Sequence, residues 1–219
     1  MQRVLLAVGK ELGLRTQTSH SLHEHLDYRT QLIVVGHSHL RPNRFREFVG
    51  SHLVRDLRDV VVDGYFKHRQ TQESWTLKPM ARYGGRTYHQ VLNSLDEPDG
   101  LLEEIRQLAN YAKLYNMRTW DYTGVEFAEF RYEDLLEREG RLFHKLFTQY
   151  RFDRTAIKTS VAIARRIGRV IRTGPNQATE WELRTGNWRS RFMPEHKRLF
   201  KELLGDLLIK MGYERDANW

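Results

Sequence analysis

The chain has 219 residues, and its 36 Lys and Arg against 28 Asp and Glu give a formal net charge of +8 at pH 7. It contains no cysteine, which excludes disulfides, thiolate metal sites and cysteine nucleophiles. No run of about 18 apolar residues occurs, so no membrane-spanning helix is predicted, and the first residues lack the apolar core of a signal peptide. The positive charge favours an anionic partner.

The first quarter of the chain contains a helical pattern and two strand patterns. Apolar residues recur at helical spacing near the start, at Val4, Leu5, Val8 and Leu12. Gly13 is placed to end this helix, and a polar connection is predicted over residues 16–30. Residues 32–35 are typical of a short buried strand, and a second strand is predicted over residues 48–54.

The rest of the chain alternates between helix and strand patterns. A helix is predicted directly after residue 54, with Asp56 as its N-cap, and a loop-rich insertion over residues 75–100. The further predicted elements are a helix at 101–117, a strand at 125–132, a helix to about 150 with a break at Gly140, and helices at 155–168 and 194–211. This alternation predicts a single α/β domain over residues 1–219, with a central, mainly parallel sheet flanked by helices in three layers.

Arg55 is a candidate anion ligand, because it stands where a strand ends and a helix begins. The N-terminus of a helix carries partial positive charge, and a guanidinium binds phosphate with two parallel hydrogen bonds. The alternative is an ion pair between Arg55 and a local carboxylate such as Asp56 or Asp59.

Four segments resemble the sulfotransferase family that uses 3′-phosphoadenosine 5′-phosphosulfate (PAPS). RDLRDVVVDGYFKH resembles its 3′-phosphate-binding strand and helix, where Arg55 and Asp59 match and Asp63 replaces the usual Ser. FRYEDLL resembles a motif whose Tyr lies against the adenine, here Tyr132. GNWRSRFMPEHKRLF and GDLLIKMGYE resemble the C-terminal region of the family. A carboxylate beside a phosphate is unfavourable unless it is protonated, turned away or neutralised by an Arg, so Asp63 is a departure that bears on nucleotide affinity.

The resemblance implies a P-loop NTPase-like fold, PAPS as sulfonate donor, no metal, and an acceptor hydroxyl or amine on a glycan or small molecule. It further implies that Arg184, Thr185 and Gly186 hold the 3′-phosphate, with Arg172, Thr173 and Gly174 as the alternative. Trp188 matches the family in either of two roles, a core residue or a ligand contact.

Two histidines follow the strand at residues 32–35 and are candidates for the catalytic base. The His39-Leu40 pair in VVGHSHLRP resembles the base motif of the family, and His37 stands where the family has a transition-state Lys. Imidazole is suited to accept the acceptor's proton. The resemblance therefore implies that His39 is the general base, and the two histidines could exchange roles.

The 5′-phosphosulfate loop of the family has no counterpart in the sequence, so we expect the first strand and this loop to be missing. Three hypotheses follow: a truncated active sulfotransferase, a non-catalytic protein that binds a nucleotide or acidic ligand, or a basic nucleic-acid-binding domain. A cytoplasmic location is expected, while an upstream membrane anchor stays compatible with the sequence. The cluster of His20, His23 and His25 is interpreted as a solvated loop rather than a metal site, and the basic run at 164–172 lacks the aromatic residues of a nucleic-acid surface.

Overall fold

The computed structural model describes residues 1–19, 26–27, 29–36, 38, 47–71, 73–111, 114–122, 127–173 and 184–219. Most of these residues are helical. The helices are α1 Gln2–Glu11, α2 Leu57–His68, α3 Tyr88–Ser94, α4 Glu97–Ala109, α5 Leu114–Thr119, α6 Tyr132–Gln149, α7 Arg154–Thr173, α8 Trp188–Arg191 and α9 Pro194–Lys210. The strands are β1 Thr16–Ser19, β2 Leu32–Val35, β3 Gly50–Val54 and β4 Phe127–Arg131.

The chain divides into two compact units, and each is built from two separated stretches. The first unit consists of Met1–Val54 and Tyr115–Ala178, and the second of Arg55–Leu114 and Thr179–Trp219. All four described strands belong to the first unit, whereas the second is formed by helices and their connections. The division into compact units does not test the expected single domain over residues 1–219, which stays a prediction.

The strands form two parallel pairs, β1 with β2 and β3 with β4. The predicted parallel pairing is therefore confirmed, while the described strands form two small sheets. The polar connection predicted over residues 16–30 is wrong at its start, because β1 lies there. Its sequence, TQTS, carries no apolar residue that alternation could reveal, and it is held by its pairing with β2.

The core of the first unit lies among α1, α6, α7 and the strands. Its fully or nearly buried residues include Val4, Leu5, Val8, Leu32, Phe130, Leu142, Phe143, Leu146, Phe147, Ile163 and Ala164. Gly13 ends α1 with a φ of 65°, a left-handed conformation that glycine adopts without strain. The break predicted at Gly140 is instead a kink at Arg138, whose φ and ψ are −133° and 36°.

The second unit packs α2 against α3, α4 and α8, and α4 against α9. The loop-rich insertion predicted over residues 75–100 agrees with the structure as far as residue 87 and is wrong beyond it, because α3 and the start of α4 lie there. Thr87 and Gln90 form a capping box at α3, and Asp96 caps α4. The helix predicted at 101–117 is also divided, since α4 ends at Ala109 and α5 begins at Leu114.

Several predicted boundaries agree with the structure. Asp56 caps α2 by accepting a hydrogen bond from the Arg58 N–H, and Pro194 begins α9. In the described part of the chain, none of the helices has both the length and the apolar character that crossing a membrane requires.

Candidate functional site

The second unit brings together five of the predicted ligand residues: Arg55, Asp63, Arg184, Thr185 and Gly186. Arg55 precedes α2, Asp63 lies within it, and the other three precede α8. The Arg55 Nη2 group donates a 3.3 Å hydrogen bond to the carbonyl oxygen of Arg184, across 129 positions of sequence. Two distant segments that the resemblance assigns to one phosphate are therefore neighbours.

Asp59 holds the second of these segments against the first turn of α2. Its Oδ2 atom accepts a 2.6 Å hydrogen bond from the Gly186 N–H, and its Oδ1 atom a 3.1 Å bond from the Trp188 N–H. Burial raises the pKa of the Asp59 carboxyl above its usual value, although the two N–H donors oppose the shift. Asp59 is thus a positioning residue, because its carboxylate is occupied by the backbone of the segment at 184–188.

Arg55 forms an ion pair with Asp63, and its charge also acts on the Asp59 carboxyl, one of the local carboxylates that the sequence offered. Its Nη1 atom lies 2.6 Å from the Oδ2 atom of Asp63, which lies within α2. The two side chains keep 18% and 11% of their surfaces exposed, but both carboxylate oxygens of Asp63 are buried. The negative charge of Asp63, at the position where the family has Ser, is therefore neutralised by Arg55 of the same motif.

Trp188 has the core role of the two that the sequence left open. It is buried at the start of α8, and the Arg58 guanidinium lies 3.8 Å from the centroid of its ring. Arg184 and Thr185, by contrast, are exposed on the same segment. The residues that stay accessible to a ligand are therefore Arg55, Arg184 and Thr185, an arrangement suited to an anionic group.

We expect Asp59→Ala to release the segment at 184–188. Two backbone N–H groups would lose their acceptor, and each such loss costs about 1–3 kcal/mol. Amide hydrogen exchange at Gly186 and Trp188, followed by mass spectrometry, should accelerate by roughly 10- to 100-fold. Asp206→Ala, at an exposed carboxylate of α9, is the matched control. Unchanged protection at Gly186 in Asp59→Ala would contradict the positioning role.

The remaining predicted site residues lie elsewhere. Tyr132 is in the first unit, where it begins α6 directly after β4. His37 and His39 lie outside the described residues, as do the three histidines at 20, 23 and 25. Of the alternative phosphate ligands, Arg172 and Thr173 end α7 in the first unit and Arg172 pairs with Glu139 at 3.0 Å, while Gly174 lies outside the described residues.

A second polar cluster, which the sequence did not predict, lies in the first unit around His52. The His52 Nδ1 atom is 2.7 Å from Glu129 Oε2, and its Nε2 atom is 2.7 Å from Ser38 Oγ. The Trp120 Nε1–H donates a 2.9 Å hydrogen bond to Glu129 Oε1. His52 and Glu129 are direct partners in the β3–β4 register. The register of these two strands brings His52 and Glu129 together, and the sequence pattern did not predict that register.

Comparison with known proteins finds no match to this chain among protein-family models, curated proteins or solved structures.

Proposed function

We propose that the chain is a sulfotransferase that binds PAPS through Arg55 and the segment at residues 184–186. The observation that carries the proposal is the hydrogen bond from Arg55 to the Arg184 carbonyl, together with the anchoring of Gly186 by Asp59. These residues lie in the two segments whose sequences resemble the 3′-phosphate-binding segments of the family. Their proximity is what a shared phosphate ligand requires.

Within this proposal each residue has a stated task. PAPS supplies an activated sulfonate, and Arg55 with Arg184 neutralises its 3′-phosphate. The resemblance assigns the adenine contact to Tyr132. His39 accepts the proton of the acceptor hydroxyl, with His37 as the other candidate for that task. The proposal also implies that the parallel strand pairs belong to a three-layer, P-loop NTPase-like fold.

The ion pair between Arg55 and Asp63 favours a second candidate, a non-catalytic protein that binds the nucleotide or another acidic ligand. An incoming phosphate must compete with the Asp63 carboxylate for the same guanidinium. Arg55 can bind the phosphate once its ion pair with Asp63 is broken. A Ser at position 63 would remove this competition. Removing the Asp63 carboxylate should therefore raise the affinity for the nucleotide, and removing the Arg55 guanidinium should lower it.

We expect 3′-phosphoadenosine 5′-phosphate to bind weakly to the wild-type chain in a calorimetric titration. Asp63→Ser should tighten binding roughly 10-fold, because it removes one adjacent negative charge. Arg55→Ala should weaken binding by about 10- to 100-fold, the range expected for a hydrogen bond to a charged group. Arg106→Ala, at an exposed arginine of α4, should leave the affinity unchanged.

Adenosine 5′-phosphate provides the ligand control, since it lacks the 3′-phosphate and should bind no tighter to Asp63→Ser than to the wild type. Equal affinity of both nucleotides would contradict the assigned grip. Transfer of labelled sulfonate from PAPS to a panel of phenol and sugar hydroxyls separates the two candidates. Nucleotide binding without transfer, in the wild type and in Asp63→Ser alike, would favour the non-catalytic protein.

A further inference from the structure

We propose that Ser38 is a nucleophile activated by His52 and Glu129, which form a Ser–His–Glu relay in the first unit. The Ser38 Oγ atom lies 2.7 Å from His52 Nε2, and His52 Nδ1 lies 2.7 Å from Glu129 Oε2. Both distances fall within the range of nucleophile, base and orienting acid in acyl-transfer sites. This inference does not depend on nucleotide binding, because all three residues belong to a unit other than that of Arg55.

The contacts of Glu129 fix where the protons of the relay lie. Its Oε1 atom accepts the Trp120 Nε1–H, and its Oε2 atom faces His52 Nδ1. An ionised carboxylate only accepts hydrogen bonds, so Nδ1 must carry a hydrogen and donate it. In a neutral imidazole the other nitrogen, Nε2, is then the acceptor. With this tautomer the Ser38 hydroxyl donates a hydrogen bond to Nε2, which is the arrangement that a base needs to activate it.

The backbone holds these three side chains on two strands and one turn. His52 and Glu129 face each other in the parallel β3–β4 register, and the imidazole is buried. The Trp120 ring, whose centroid is 4.3 Å from that of the imidazole, packs against it. Glu129 and Trp120 thus orient the base from two directions, and Glu129 is a positioning residue.

Ser38 follows β2 by three residues and has a φ of 54°. A serine in the left-handed region is uncommon, and backbone strain of this kind concentrates at functional sites. Nucleophilic serines of acyl-transfer enzymes are likewise presented on a sharp turn after a strand. Ser38 keeps part of its surface exposed, so the hydroxyl combines an accessible position with a buried base.

The chemistry that follows is hydrolysis of a carboxylic ester. Ser38 Oγ would attack the ester carbonyl and form a C–O bond, while its proton passes to His52 Nε2. The bond to the alcohol would break, and the leaving oxygen would take that proton. A water molecule, deprotonated by the same imidazole, would then release the carboxylic acid and restore the Ser38 hydroxyl. Glu129 would stabilise the imidazolium that forms in both halves of the reaction.

The test uses an alkyl fluorophosphonate, which reports an activated serine without any knowledge of the natural ester. Reaction forms an Oγ–P bond and expels fluoride, so intact-mass analysis of the full chain should show one adduct, and peptide mapping should place it on Ser38. Ser38→Ala should abolish the adduct. His52→Ala should slow labelling by about 10²–10⁴-fold, the usual contribution of general-base catalysis.

Ser51→Ala is the matched control, because the Ser51 hydroxyl adjoins His52 in β3 but contacts the Tyr150 hydroxyl instead, at 2.7 Å. It should label at the wild-type rate. Glu129→Gln separates positioning from folding, since a neutral amide cannot stabilise an imidazolium. We expect slower labelling together with an unchanged near-ultraviolet circular dichroism spectrum.

p-Nitrophenyl acetate gives a second readout, a burst of one equivalent of p-nitrophenolate per chain that Ser38→Ala removes. An adduct on any other residue, the absence of an adduct, or equal labelling of Ser38 in His52→Ala would each overturn the proposal. None of these readouts requires the nucleotide, so a negative result here leaves the sulfotransferase proposal to its own calorimetric test.

Discussion

Replacing Arg58 with alanine is expected to lower the free energy of unfolding by about 3–5 kcal/mol, the usual cost of breaking a buried ion pair by removing one partner. The Arg58 side chain is 1% exposed. Its Nε and Nη2 atoms donate to Asp56 at 2.9 and 2.8 Å, and its Nη1 atom donates to Glu214 at 2.5 Å. Removing the guanidinium would take from Asp56 and Glu214 the positive charge that Arg58 supplies to both.

The surroundings of the Arg58 guanidinium add to this cost. Its central carbon lies 3.8 Å from the centroid of the Trp188 ring and 4.5 Å from that of Trp219, so it packs between two indoles. Burial opposes its charge, but the hydrogen bonds and charges of Asp56 and Glu214 outweigh that effect and raise the pKa of Arg58. The group therefore stays charged, and its loss removes packing as well as charge.

Urea denaturation of the wild type, Arg58→Ala and Arg106→Ala measures the effect. Arg106 is the matched control because its side chain is 50% exposed and its pair with Glu103 spans 3.5 Å. A surface pair of this kind contributes about 0–1 kcal/mol. Equal losses in the two variants would mean that the buried cluster contributes no more than an exposed pair does.

The same cluster explains a distinction that charge alone does not make. RDLRD contains two arginines, and both could be anion ligands by charge and position. Arg58 is enclosed by two carboxylates and two indoles, whereas Arg55 remains partly exposed beside Arg184. The resemblance selected Arg55, and the packing supplies a physical reason why Arg58 is unsuited to the task.

Sequence patterns predicted the long helices well, because their apolar residues recur with the helical period. The amphipathic pattern of α1, the Asp56 cap and Pro194 at the start of α9 all lie in local sequence. The miss at β1 has another cause. Strand β1 has no apolar residue, so only its pairing with β2 makes it a strand. Local sequence does not encode such pairing.

The candidate site divides in the same way. The resemblance to the sulfotransferase family predicted that Arg55 and Arg184 lie close together. In the structure the Arg55 guanidinium donates a hydrogen bond to the Arg184 carbonyl oxygen. The pairing of Arg55 with Asp63 and the relay at His52 could not be predicted, since each depends on distances between side chains. His52 and Glu129 are 77 positions apart, and only the strand register makes them partners.

The region predicted as a loop over residues 75–100 is fixed by a buried carboxylate, that of Glu104. It accepts a 2.6 Å hydrogen bond from the Tyr88 hydroxyl and bonds of 3.0 and 3.1 Å from His68 Nδ1, which ties α2, α3 and α4 together. Burial, and then the charge of Glu104, raise the pKa of Tyr88, so its hydroxyl keeps the proton that it donates. Trp75 stacks on Tyr88 with ring centroids 5.4 Å apart.

We expect Glu104→Leu to destabilise the second unit by about 3 kcal/mol, because the buried Tyr88 hydroxyl and the half-buried His68 imidazole lose their acceptor, and each such loss costs about 1–3 kcal/mol. Tyr88→Phe alone should cost about 1 kcal/mol, the net contribution of one hydrogen bond. In the Glu104→Leu background the same change should cost less or become stabilising, since it then removes an unsatisfied hydroxyl. Urea denaturation of all four proteins of this double-mutant cycle measures the coupling. Strictly additive losses would show that the Tyr88 hydroxyl and the Glu104 carboxylate act independently, which would contradict the proposed role of this hydrogen bond in holding α3 against α4.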